Sequence, residues 1–183
     1  FFGYQRFGIN GKNYELGRDI LKGVRKERNH KMHEFYLSAY QSYLFNEWLS
    51  KRIELSRVVE DFDVKDAMNI LSLPKETISE LKKQKQFFKL LRGDVMHHYP
   101  AGKAFVGESI EAELPRFQAR DITITGWLVG GKNIRAEYEA GEIESKMFQE
   151  SEPFLSKMNG SRRFAWSFVD EVEYVYKEEE AWF

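Results

Sequence analysis

The chain has 183 residues, 42% hydrophobic, 31% charged and 15% aromatic, a balance that suits a folded protein and excludes disordered, collagenous and coiled-coil classes. Twenty-eight Lys and Arg face 29 Asp and Glu, so the net charge of -1 exerts no global pull on a polyanion, and any such partner must be met by a local patch. The absence of cysteine removes disulfides and thiolate metal sites, as suits a reducing cytoplasm, and no apolar run reaches the roughly 18 residues of a membrane span.

In chain order, the first segment is Phe1-Phe2-Gly3-Tyr4 and the last is Ala181-Trp182-Phe183. Aromatic residues at both ends read as elements that pack against further chain, so a fragment of a longer protein is expected. Residues 12 to 33 form the most basic stretch, with Lys12, Arg18, Lys22, Arg25, Lys26, Arg28 and Lys31 against three acids. From Phe35 to Ile53, Leu37, Tyr40, Leu44 and Trp48 recur at three- and four-residue steps, which predicts a core helix. A short helix is expected at Lys65 to Leu71. After Pro74 a long one is expected from Lys75 to Leu91, ended by Arg92-Gly93, with Lys82-Lys83-Gln84-Lys85 on its outer face.

Beyond Gly93 the texture changes to short strand-like runs at 99–102, Phe105-Val106-Gly107 and Ile122 to Val129, punctuated by glycine. Arg135 to Phe148 reads as a polar helix interrupted at Gly141, and Met158 to Ser161 as a turn. Phe164, Trp166 and Phe168, then Val172, Tyr174 and Tyr176, alternate with the two-residue period of half-buried strands. The fold class is α+β, helices paired with a small mixed sheet.

Signatures of common chemistries are missing from the sequence. There is no G-x-S-x-G elbow, P-loop or G-x-G-x-x-G, and the pairs His30/His33 and His97/His98 lack the spacing of a metal site, so neither metal nor cofactor is expected. What stands out is Phe2-Gly3-Tyr4-Gln5-Arg6-Phe7-Gly8, where two glycines allow a tight turn around an amide, a guanidinium and a phenyl ring. Gln5 can meet a base edge, Arg6 can fork onto phosphate and Phe7 can stack on a base. A turn with a packed Phe and a structural Arg is equally compatible with these residues.

That segment resembles the F-G-x-Q-R-F-G motif of the tRNA pseudouridine synthase D (TruD) family. Phe35-Tyr36-Leu37-Ser38-Ala39-Tyr40-Gln41-Ser42-Tyr43-Leu44-Phe45-Asn46 is similar to the family's following helix, and Arg92-Gly93-Asp94, Thr125 to Gly130 and Gly160-Ser161-Arg162-Arg163 resemble its later segments in order. The resemblance implies isomerisation of a tRNA uridine, typically position 13 in the D arm, to pseudouridine without a cofactor. It also implies a TruD-specific domain inserted into the catalytic domain, with the RNA cleft between the two. The family's catalytic Asp lies in G-x-K-D-[KR], which this sequence lacks. Its one Lys-Asp, Lys65-Asp66, has neither the glycine nor the following basic residue, so the nucleophile is expected outside the chain.

Three segments follow from the resemblance: 1–30 as the end of the first catalytic half, 31–158 as the inserted domain and 159–183 as the return to the catalytic domain. The chain is expected to provide the tRNA-binding cleft of a cytoplasmic, monomeric enzyme with no membrane contact. Gln5, Arg6 and Phe7 would line the cleft, Arg25, Lys26 and Arg28 would hold phosphates, and Arg162 and Arg163 would be second choices. For each of these arginines an ion pair with the acidic C-terminal strands is the competing expectation. The competing function is a non-catalytic RNA-binding or protein-interaction module.

Overall fold

A computed structural model describes residues 1–168. Seven helices, a 3₁₀ segment and four strands follow the order α1 (Tyr4–Phe7), α2 (Asn13–Leu21), α3 (His30–Asp61), α4 (Val64–Leu71), α5 (Lys75–Lys83), β1 (Val95–His98), β2 (Ala104–Val106), α6 (Ile110–Gln118), β3 (Ile122–Leu128), α7 (Tyr138–Phe148), the 3₁₀ segment Gln149–Lys157 and β4 (Ser161–Phe164). The strands form one antiparallel sheet in the order β2-β1-β3-β4. Helices and a sheet share the chain, as the α+β expectation requires, but the sheet is antiparallel and not mixed.

α3 is the spine. It begins earlier than the apolar stripe, because Asn29 caps it by accepting the Met32 N–H at 3.2 Å. It also runs past Ile53, because Leu55, Val58 and Val59 continue a buried row between polar residues. The two halves of the helix serve two cores. Leu37, Tyr40, Leu44, Phe45, Trp48 and Leu49 join the sheet residues Met96, Ile122, Ile124 and Trp127. Leu55, Val58 and Val59 join Ala67, Ile78, Leu81 and Leu91. Lys82 closes the far end of α3 by donating to the carbonyls of Val59 (2.7 Å) and Phe62 (2.6 Å), so one of the lysines expected on an outer basic face is a helix cap.

Two glycines set the approach of the spine to its neighbours. At Gly126 of β3 a Cβ would run into the Trp48 ring and come within 2.8 Å of Phe45, so α3 lies directly on the strand. At Gly17 of α2 it would meet the Tyr36 carbonyl, which marks the crossing of α2 and α3.

Several elements depart from the periodicity reading. The helix expected to reach Leu91 ends at Lys83, because side chains outbid its last turns for the backbone. Gln84 donates to the Leu90 carbonyl and accepts the Leu90 N–H, both at 2.8 Å, and Ser56 accepts the Lys89 N–H at 3.1 Å. Lys89 itself is buried, bonded to Glu60 and to the carbonyls of Gln84 and Gln86. Asp94 accepts from Arg52 and from the Leu91 N–H, so both partners of this buried ion pair also hold main chain.

The region after Gly93 contains α6 as well as strands. Ser109 caps it, Pro115 lies inside it, and Leu114 and Phe117 supply its inner face. Residues 99–102 connect β1 to β2 and are not a strand. α7 begins at Tyr138 and continues through Gly141 without a break. β4 stops at Phe164, short of Trp166 and Phe168, and the alternation at Val172, Tyr174 and Tyr176 lies outside the described residues. Among the described residues no helix is long and apolar enough to cross a membrane.

Candidate nucleic-acid interface

The glycine-flanked opening is a single helical turn. Gly3 precedes α1, and Gly8 closes it at φ +76°, a conformation that a side chain would strain. None of its residues is buried. The three side chains nonetheless point to different surroundings. Gln5 is exposed. Arg6 turns back to α3, donating to the Ser38 hydroxyl at 2.8 Å, with its guanidinium 5.7 Å from the Phe2 ring and 5.9 Å from the Phe35 ring. Phe7 meets Tyr14 edge-on at 6.3 Å, and Tyr14 stacks on Tyr43 at 4.0 Å with the planes 9° apart.

Phe2 is the centre that the motif builds around. The Asn46 amide grips its main chain as a neighbouring strand would, accepting the Phe2 N–H at 2.8 Å and donating to the Phe2 carbonyl at 2.9 Å. Its ring stands edge-on to Phe45, 5.8 Å away, and the Arg163 guanidinium lies 4.2 Å from its centroid. Arg163 is exposed and sits opposite Gly126 in the β3–β4 pairing. The structure therefore gathers Phe2, Arg6 and Arg163, contributed by residues at the two ends of the described chain, on the floor of Ser38, Phe45 and Asn46 from α3.

Sequence reading placed Arg6 and Arg163 in the candidate set but passed over Phe2 and Asn46. The available signal was the 35, 38, 42, 45 spacing, which puts Phe35, Ser38, Ser42 and Phe45 on one face of α3. Gln41, from the same stretch, donates to the carbonyls of Val129 (2.6 Å) and Asn159 (2.8 Å), fixing the approach to β4 and hence to Arg163.

Arg162 does not belong to this set. Its guanidinium is buried against Glu144 of α7 and its Nε donates to the Ile134 carbonyl at 3.0 Å. The side chains are 4% and 6% exposed, so no phosphate can reach it. Arg162 is thus in an ion pair, but its partner is Glu144 of α7 and not an acid of the C-terminal segment.

Arg25, Lys26 and Arg28 lie between α2 and α3, all exposed, and none has an ion-pair partner among the described residues. Gly23, at φ +74°, ends α2, and the Asp19 main-chain carbonyl accepts the backbone N–H groups of Val24 and Arg25. The run then enters α3, whose first turn holds no acid. The positive end of the helix dipole and the basic side chains thus reinforce one another.

Beside this region, Tyr14, Arg18, Tyr40, Tyr43 and Lys146 line a hollow of about 440 Å³. Burial raises the Tyr43 phenol above its ordinary pKa, and the Glu47 carboxylate adds to the effect, followed by Tyr14 and Tyr40. Tyr43 is therefore a neutral hydroxyl at physiological pH.

The family model of tRNA pseudouridine synthase D (TruD) matches residues 24–180. Proteins named tRNA pseudouridine synthase D are 50% identical to the chain in Campylobacter jejuni, 47% in Nitratiruptor sp. and 40% in Helicobacter pylori. Each alignment covers 100% of this chain and 49%, 50% and 49% of the respective relative. The chain belongs to the tRNA pseudouridine synthase D family. It spans about half the length of the curated relatives it matches.

Proposed function

We propose that the chain forms the tRNA-binding wall of an enzyme that isomerises uridine to pseudouridine, typically at position 13 of the D arm, and that the reactive Asp is supplied by polypeptide beyond these 183 residues. The observation that carries this reading is the match along the whole chain to synthases about twice as long, joined to the lack of any G-x-K-D-[KR] in the sequence. In this reading residues 1–30 and 159–183 belong to the catalytic domain and 31–158 to the inserted one. The full enzyme works as a cytoplasmic monomer without metal or cofactor.

Isomerising a uridine requires the base to leave its stack, so the protein must hold the flanking backbone and shelter the extruded base. Arg25, Lys26 and Arg28 supply exposed cations for phosphates, which orient the RNA without reading its sequence. Gln5 offers donor and acceptor to a base edge. Arg6 and Phe7 shape the wall from behind. Arg163, stacked on Phe2, presents a planar cation to base or phosphate.

The test is to incubate residues 1–183 and the full-length protein separately with an unmodified tRNA transcript and map pseudouridine. Only the full-length protein is expected to convert the uridine, and turnover by residues 1–183 alone would show that the nucleophile lies within them. In the full-length protein, Arg25→Glu with Arg28→Glu should weaken tRNA binding and flatten its dependence on salt by about two counterions. An unchanged salt slope would remove these residues from the interface.

A further inference from the structure

Away from Phe2, a second exposed pairing of cation and ring is built where the segment after α5 meets the start of α7. The Arg92 guanidinium lies 3.7 Å from the centroid of Tyr138, closer than any other cation–ring pair among the described residues. Both residues are exposed, Tyr138 by 46%, and Arg92 has no ion-pair partner among the described residues. Tyr138 sits at φ +47°, in the left-handed region where glycine or asparagine would be at ease.

The surroundings enforce this geometry. The Ala140 N–H bonds to the Arg92 carbonyl at 3.3 Å and the Glu137 N–H to the Gly93 carbonyl at 3.0 Å. Gly93, at φ +83°, lies so close to Glu137 that a Cβ would strike its carbonyl. The two chain segments are thus clamped, and a strained, solvent-facing tyrosine is kept where its ring contributes nothing to either buried core.

Arg92 also forms the lip of a hollow of about 610 Å³ that Lys83, Glu80, Glu108 and Glu111 share. Lys83 is exposed and has no ion-pair partner among the described residues. Three carboxylates beside Lys83 and Arg92 disfavour a continuous phosphate track such as a duplex backbone. They suit one isolated nucleotide, whose exocyclic amine would donate to a carboxylate while its phosphate stays on the Lys83 side. The outer face of a guanidinium already stacked on a ring is a platform for a base.

We infer that Arg92 and Tyr138 form a stacking ledge for one unpaired RNA base bearing an exocyclic amine, adenine, cytosine or guanine in preference to uracil, at a place separate from the Phe2 wall. The inference extends the proposed RNA role but does not depend on uridine isomerisation.

The test is equilibrium binding of the full-length protein to the single-stranded hexamers A6, C6 and U6, with thermal melting of every variant. The parent should prefer A6 and C6 to U6. Arg92→Ala and Tyr138→Leu should each weaken A6 binding about tenfold, the scale of one base stacked on a side chain. Arg92→Lys, which keeps the charge and loses the plane, should weaken it as much as alanine does. Tyr138→Gly relieves the backbone, so its melting temperature should rise while A6 binding falls.

Equal affinity for the three hexamers would overturn the inference. So would A6 binding unchanged in Arg92→Ala and Tyr138→Leu, full recovery with lysine, or a Tyr138→Gly protein that melts lower and binds as the parent. Hexamer binding without any tRNA turnover by the full-length protein would remove the isomerase reading and leave the ledge standing.

Discussion

Arg162 and Arg163 occupy consecutive positions of β4, and the pleat sends their guanidinium groups to opposite faces. Arg162→Ala would leave Glu144 buried and unpaired, so unfolding in urea should show a loss of about 3–5 kcal/mol. Arg163→Ala should cost less than about 1 kcal/mol, because the residue is exposed and its ring contacts are confined to Phe2 and, at 5.9 Å, Phe45. Equal losses would mean that the strand's two faces have been assigned wrongly. Nothing in the sequence separates the two arginines, since the partner that distinguishes them lies 18 residues away in α7. Tyr43 gives a pH test. Its raised pKa means that the folded state holds the phenolic proton more tightly than the unfolded chain, so stability falls as pH climbs from about 10 through the folded value. Tyr43→Phe removes that titration, and its alkaline unfolding limb should be shallower than the parent's. Parallel limbs would rule out the assigned shift.

α3 was legible in its middle and illegible at its ends. The apolar stripe from Leu37 to Trp48 marks the half that meets the sheet, whereas the later half serves a different core and presents a different face, which dilutes any single stripe. The segment after Lys83 misleads for a related reason. Phe88 and Leu91 keep a helical spacing from Ile78 and Leu81, but Gln84, Ser56 and Asp94 satisfy the backbone from their side chains, which periodicity cannot register. α6 was hidden by Pro115, and β1 by its two histidines. The contact of α3 with β3 rests on Gly126. Gly126→Ala should destabilise by about 1–3 kcal/mol through overpacking against Trp48 and Phe45, measured as a shift in the urea midpoint. Pairing it with Trp48→Phe, which opens space, should recover part of the loss. No recovery would place the cost in the strand and not in the helix contact.

In the whole molecule, segments distant in sequence share one core. Phe2 and Ile20 pack on the same cluster as Met158, Ala165 and Phe168, with α3 between them. The glycine-rich motif was readable because an amide, a guanidinium and a phenyl in one turn are unusual. What they do there was not readable, because Ser38 meets Arg6, and Asn46 and Arg163 meet the adjoining Phe2, only through the tertiary fold. The basic run at Arg25 to Arg28 was the reverse case. Its local charge was plain from the sequence, and the described fold leaves those cations unpaired.

An uninterrupted helix of 32 residues is about 48 Å long. One end of α3 carries the cationic entry, and Phe2 is seated at its midpoint, on Phe45 and Asn46. Towards the other, Arg52 and Ser56 anchor the segment that leads to Arg92. Two grips mounted on a single beam keep a set gap, as the jaws of a caliper do. On the proposed RNA-binding reading, a nucleic acid that engaged both would have to match that gap, so the beam would gauge the shape of its guest before any base is read.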